Sequence, residues 1–145
     1  MPYIKRSDFL PREISFPSYG DHQEGYLTVA ASDHAFPFDV KRSFWTCDTP
    51  TDVSRGRHAH YSTEMVLVCL KGWIKLECES ITGEKTSFHL DHAGIGIYIP
   101  KLTWHEMWYS EEAIQLVFAS TYFNEADYIR SYDEFLSIKQ KWEIS

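Results

Sequence analysis

The chain has 145 residues, 43% hydrophobic and 24% charged, close to the length and composition of one ordinary globular domain. Fourteen Lys+Arg against twenty-one Asp+Glu give a net charge of -7, which argues against a general nucleic-acid binder with its basic footprint. No run approaches the ~18 apolar residues of a membrane span, so no membrane partner is expected.

Aromatic residues reach 16%, a share that suits the inside of a small β-barrel and the lining of a ligand pocket. The first thirteen residues carry Lys5, Asp8, Arg12 and Glu13 and do not read as a signal peptide. Residues 25–32 and 41–48 read as strands. Residues 65–70 (MVLVCL) form a continuous apolar run of strand length, expected to be buried on both faces. Residues 73–79 alternate, with Ile74, Leu76 and Cys78 against Lys75, Glu77 and Glu79, the mark of a half-buried strand. Thr82-Gly83 is a turn signal, and residues 86–90 return as a hairpin. Residues 94–100, 104–109 and 113–120 supply further strands.

The pattern changes at Asn124, a candidate helix cap with Asp127 three residues on. Tyr128, Ile129, Tyr132, Phe135 and Leu136 recur at helical spacing, which predicts a helix over about 125–141 laid on the outside of a sheet. Eight or nine short strands suggest an antiparallel sandwich or jelly roll whose open mouth surrounds a small molecule. The expected organisation is a single domain over 1–145, with an N-terminal strand segment 1–32, a barrel 33–122 and a C-terminal helix 124–141. Cys47, Cys69 and Cys78 form no CxxC and cannot all pair, as expected of reduced thiols in a cytoplasmic protein.

Of seven histidines, His22, His34, His89 and His92 fall in polar, turn-like or strand-end positions and read as surface residues. His58 and His60 differ, because i and i+2 in a strand put both rings on one face. The segment from Ser54 to His60 surrounds a glycine and an alanine with two arginines and two imidazoles, leaving room for a ligand.

His58, His60 and Glu64, followed by Gly94, Pro100 and His105, resemble the two bipartite motifs of the cupin superfamily. Leu102 stands where the second motif has an inner glycine, and Tyr109 where it ends in Asn. The resemblance implies an all-β cupin jelly roll, a double-stranded β-helix barrel with a C-terminal α-helix.

A closer resemblance covers nearly the whole chain. Its blocks are Pro37 to Arg42, Asp48-Thr49-Pro50, Ser54 to His60, Tyr98-Ile99-Pro100, Trp104 to Met107, and Asp127 to Arg130 with Asp133-Glu134-Phe135. In order and spacing they resemble the WxcM-like family of nucleotide-sugar 3,4-ketoisomerases. This resemblance implies transfer of the keto group of dTDP-4-keto-6-deoxy-D-glucose from C4 to C3 through an enediol, in deoxyaminosugar biosynthesis, without a cofactor. It implies His60 as the base and His58 as its positioner or a proton shuttle between the oxygens. Arg55 would stabilise enediolate charge or hold the sugar, and Arg42 and Arg57 are candidates for the diphosphate. Tyr98, Trp104 or Phe44 would stack on thymine, and His105 would also contact substrate. The family also implies a homodimer whose N-terminal strand crosses to the partner.

The chain departs from the family where the tyrosine-rich strand reads Ser43 to Cys47, so that Phe44 and Cys47 replace phenols, and at Arg57, where glycine is common. Glu64, often glutamine in the family, is expected to orient a histidine. Two other readings stand beside the isomerase. One is a metal-dependent cupin enzyme with His58, His60, Glu64 and His105 as ligands. The other is a non-catalytic sugar-nucleotide-binding module.

Overall fold

The computed structural model of the chain describes residues 5–33 and 36–144. His34 and the first four residues of the N-terminal segment therefore lie outside the described residues. A 3-10 turn at Arg6–Phe9 precedes β1 (Arg12–Ser15), β2 (Ser18–Asp21), β3 (Gly25–Thr28) and β4 (Arg42–Cys47). Next come β5 (Arg55–His60), β6 (Met65–Lys71), β7 (Ile74–Ser80) and β8 (Lys85–Leu90). β9 (Ile95–Ile99), β10 (Thr103–Tyr109), β11 (Ile114–Ala119), β12 (Tyr128–Ile129) and α1 (Tyr132–Ile144) complete the described chain. Two five-stranded sheets, ordered β1-β9-β6-β11-β4 and β12-β5-β10-β7-β8, make the cupin jelly roll, and β2 and β3 form a separate hairpin.

The alternation of each strand decides what lies between the sheets. Leu67, Leu76, Ile97, Ile99, Tyr109 and Val117 meet in the interior. The sheets' outer faces are covered as well. Phe36 packs on Val66 and Val68 behind one sheet, with Phe38 against the same cluster. Phe135 packs with Ile81, Ala59 and Ile129 behind the other. Hence Met65 through Cys69 are buried on both faces, as the apolar run predicts, and only Leu70 of that run is exposed. β1 and β2 were not legible: REIS and SYGD carry almost no apolar pattern. Their backbones pair all the same, β1 with β9 and β2 with β3.

The C-terminal helix corrects the sequence expectation. Asn124 does cap, accepting a bond from the Ala126 backbone N–H at 3.1 Å, but only over a 3-10 turn at Glu125–Asp127. The Asp127 carboxylate is taken by Ser62 and Thr63, so the chain leaves the turn as a strand rather than a helix. Tyr128 and Ile129 then pair with His60 and Ala59. The helix starts at Tyr132, where the Ser131 hydroxyl accepts from the Glu134 backbone N–H at 3.3 Å. Tertiary hydrogen bonds to one carboxylate outweigh a local helical stripe.

Candidate active site

β5 carries the core of the site. Two consecutive residues of β10, His105 and Glu106, lie opposite His58 and Gly56, which leaves Arg57 as the extra residue of a bulge. Arg57 adopts φ 57, a left-handed conformation that costs a non-glycine residue about 1–2 kcal/mol. The bulge reverses the facing of the strand upstream of it. His58 and His60 point inward, and so does Arg55, which simple alternation would have sent outward.

Inside the barrel these side chains meet His105, Tyr128 and Arg130 around a cavity of about 240 Å³. Phe44, Thr46, Gln115 and Val117 close it from the facing sheet. The ring centroids of His58 lie 4.9 Å from His60 and 4.6 Å from His105. Tyr128 sits 5.1 Å from His58 and 4.6 Å from His60, with the Arg130 guanidinium 4.3 Å from its own ring.

The imidazoles are held neutral. Burial lowers the pKa of His60 to about 4, helped by its neighbour His58 and opposed by Asp127. His105, 1% exposed, is lowered well below the ordinary value by burial and by the other two rings. His58 is lowered by burial, against the pull of the Gly56 carbonyl. Hydrogen bonds choose the tautomers. A carbonyl only accepts, so Nδ1 of His58 donates to Gly56 O at 3.0 Å and Nδ1 of His105 donates to Thr103 O at 3.1 Å. Each ring therefore carries its lone pair on Nε2, the form a general base needs.

The remaining candidates fall elsewhere. Arg42 stacks over Phe44 and Phe123 at the rim, close enough to His60 to depress its pKa, and Arg57 is exposed on the bulge. Trp104 faces outward and packs on Tyr132 and Phe135. Tyr98 lies on the outer face of the other sheet, where its hydroxyl donates to Glu64 and Arg12 covers its ring. Glu64 therefore does not orient a histidine: it follows the β5–β6 turn onto the opposite side of β6 and accepts from Tyr98. The four-ligand cupin set does not assemble, and among the described residues no three His, Cys, Asp or Glu side chains are placed to share one metal ion.

Among the cavity residues to which the sequence assigned no site role are Tyr128, Arg130, Thr46, Gln115 and Met107. Tyr128 was hidden by the helical stripe. Gln115 had a signal, a polar side chain at an inward position of an otherwise apolar strand.

Residues 11–140 match the FdtA family, described as WxcM-like, C-terminal. The TDP-4-oxo-6-deoxy-alpha-D-glucose-3,4-oxoisomerase of Aneurinibacillus thermoaerophilus is 40% identical over 114 residues, which are 77% of this chain and 80% of that protein. The 3,4-ketoisomerase QdtA of Thermoanaerobacterium thermosaccharolyticum, solved in complex with TDP, superposes with a TM-score of 0.85 at 34% identity. That match covers 91% of this chain and 96% of QdtA. A 3,4-ketoisomerase from Helicobacter canadensis gives 0.84 at 34% identity, covering 90% of this chain and 97% of its own.

Proposed function

This chain belongs to the FdtA, WxcM-like family, and we propose that it is a TDP-sugar 3,4-ketoisomerase acting on TDP-4-keto-6-deoxyglucose. The observation that carries the mechanism is the packing of three neutral imidazoles against one small cavity, two of them with Nε2 lone pairs fixed by backbone carbonyls.

The C4 ketone acidifies the C3–H bond. His60 takes the C3 proton, the C–H electron pair becomes the C3=C4 double bond, and the carbonyl π pair moves onto O4. His58 carries the proton of O3–H across to O4, and a lone pair on O3 then forms the new C3 carbonyl. The C=C pair takes the proton back from His60 at C4. One proton leaves and one returns, so no oxidant or cofactor is consumed. Arg55 and Arg130 line the cavity while remaining exposed to solvent, and stabilise the enediolate and the diphosphate there. His105 and Tyr128 pack against the two reacting imidazoles and limit their rotation.

The proposal includes a homodimer, supported by the β2–β3 hairpin, which exposes Tyr19, Tyr26 and Leu27 at 60% or more, beyond what a lone hairpin holds in water. Light scattering at micromolar concentration tests it, and a monomer refutes it. It also includes a cytoplasmic location, supported by three unpaired cysteines. Among the described residues no helix is long and apolar enough to cross a membrane.

The testing experiment is proton NMR of TDP-4-keto-6-deoxyglucose with the enzyme in deuterated buffer. The expected result is a 3-keto product, with deuterium at C4 to the extent that the proton on His60 exchanges with solvent before it returns. Recovery of unchanged substrate, protonated at C3, would refute the isomerase and leave a binding module.

A further inference from the structure

β11 breaks its own pattern. Its inward positions are Gln115, Val117 and Ala119, and the last two belong to the apolar interior. Gln115 is as buried as they are, at 2% exposure, yet carries a carboxamide. A buried amide left unpaired costs about 1–3 kcal/mol, so the position calls for partners.

One partner is present. The Tyr109 phenol donates to Oε1 of Gln115 at 3.0 Å. Burial pushes that phenol up to about 12, so it keeps its proton at any ordinary pH. The structure turns the amide oxygen toward that phenol, and the nitrogen with its two N–H donors is left over. Among the described residues nothing accepts from that nitrogen, and Gln115 lines the histidine cavity.

Thr46 lies directly opposite Gln115 in the β4–β11 register, lines the same cavity, and its hydroxyl also has no partner among the described residues. The two polar groups sit one inward position, about 7 Å, further along the sheet than the Phe44–Val117 pair. The cavity thus carries the imidazoles and Arg55 on one sheet and, on the facing sheet, an apolar pair followed by two polar groups of unfilled hydrogen-bonding capacity.

We infer that Gln115 and Thr46 form a subsite that binds a hydroxyl of the hexose ring and fixes the sugar's orientation toward the imidazoles. This rests on the ketoisomerase reading and deepens it. Charge selects a sugar oxygen over a phosphate. Both groups are neutral and offer hydrogen bonds alone, as a hydroxyl needs; the counter-charge a phosphate needs comes from Arg55, opposite Met107, not from this pair. The volume agrees: about 240 Å³ falls short of the ~300–1,000 Å³ of a drug-sized pocket and suits the sugar, with the nucleotide outside.

The test uses Gln115→Met, which keeps length and apolar fit but removes both donors, and Thr46→Val. Turnover of TDP-4-keto-6-deoxyglucose is measured beside calorimetric titration with TDP alone and with TDP-glucose. Gln115→Met should lower kcat/KM by about 30-fold and Thr46→Val by about 10-fold, the range for a buried hydrogen bond to substrate. The affinity for TDP should stay within two-fold, while the extra affinity contributed by glucose disappears. Wild-type kcat/KM in Gln115→Met would overturn the subsite alone. Equal losses for TDP and TDP-glucose would overturn the sugar assignment in favour of a phosphate contact. A wild-type protein without turnover would overturn the ketoisomerase reading, and the subsite with it.

Discussion

Asp127→Asn should be the most informative single change outside the imidazoles. The Asp127 carboxylate accepts from the backbone N–H of Ser62 at 2.8 Å and that of Thr63 at 3.2 Å, and also from both hydroxyls. Burial alone would raise its pKa, but these bonds outweigh burial and hold it below the ordinary carboxylate value. The substitution keeps the shape and turns one acceptor oxygen into a donor facing donors. Losing two of the four bonds, at about 1.5–3 kcal/mol each for a charged acceptor and less the relief from hydroxyl rotation, costs about 3 kcal/mol. For a domain of this size that lowers Tm by about 10 °C. Asp127 also ties the β5–β6 turn to β12, which sets His60 against Tyr128. kcat should therefore fall about 10-fold at temperatures where the variant is fully folded, with KM for substrate little changed. Thr63→Val should be milder, and the double variant should cost less than the two singles added together. Calorimetry and steady-state kinetics read both effects. A variant melting within 2 °C of wild type at unchanged kcat would refute the argument that this carboxylate holds the site in register.

The buried imidazoles should make the fold acid-sensitive. His60 takes a proton near 6.5 when unfolded but only near 4 when folded, so the unfolded state binds more protons between those values. Stability should fall by about 3 kcal/mol as pH drops across that window, and His60→Asn should flatten thermal melts taken between pH 7.5 and 4.5; parallel curves would count against it. In activity, the acid limb of kcat/KM should lie near pH 4 for the free enzyme, with the limb of kcat at higher pH once the substrate's diphosphate is bound. His60→Asn should cut kcat by ~10²-fold or more and leave TDP affinity within a few-fold, as followed by turnover and calorimetry. Arg57→Gly relieves a left-handed backbone at an exposed position, so Tm should rise by a few degrees with TDP affinity unchanged; weakened TDP binding would restore Arg57 as a diphosphate ligand.

Most of the barrel could be read directly, because β4, β8, β10 and β11 carry their burial in their alternation and β6 carries it in its continuous apolar run. What escaped was structure held by partners distant in sequence. β1 has little apolar content and exists through its backbone pairing with β9. β12 exists because Asp127 binds residues 64 and 65 positions away. In the site, the i, i+2 spacing put His58 and His60 on one strand face, and both line the cavity. Arg55 also turned inward, but for a reason periodicity does not contain: the bulge at Arg57 shifts the face. The same rule works against Tyr98 and Trp104, whose strands send His105 and Ile97 into the barrel and therefore send these neighbours out.

That geometry explains why a base with so low a pKa suits this site. His58 lowers the proton affinity of His60 and of His105, and His60 lowers that of His105, so a second proton in the cluster is disfavoured. A carrier that must collect a proton from C3 and surrender it at C4 needs that restriction, since a strongly basic imidazole would keep it. The missing basicity is supplied on demand. A bound diphosphate brings negative charge close to the buried imidazoles, and this raises the proton affinity of His60 only while substrate is present. Free enzyme then stays neutral and ready at physiological pH. The stability given up below pH 6.5 and the readiness of the base above it are two consequences of the same burial.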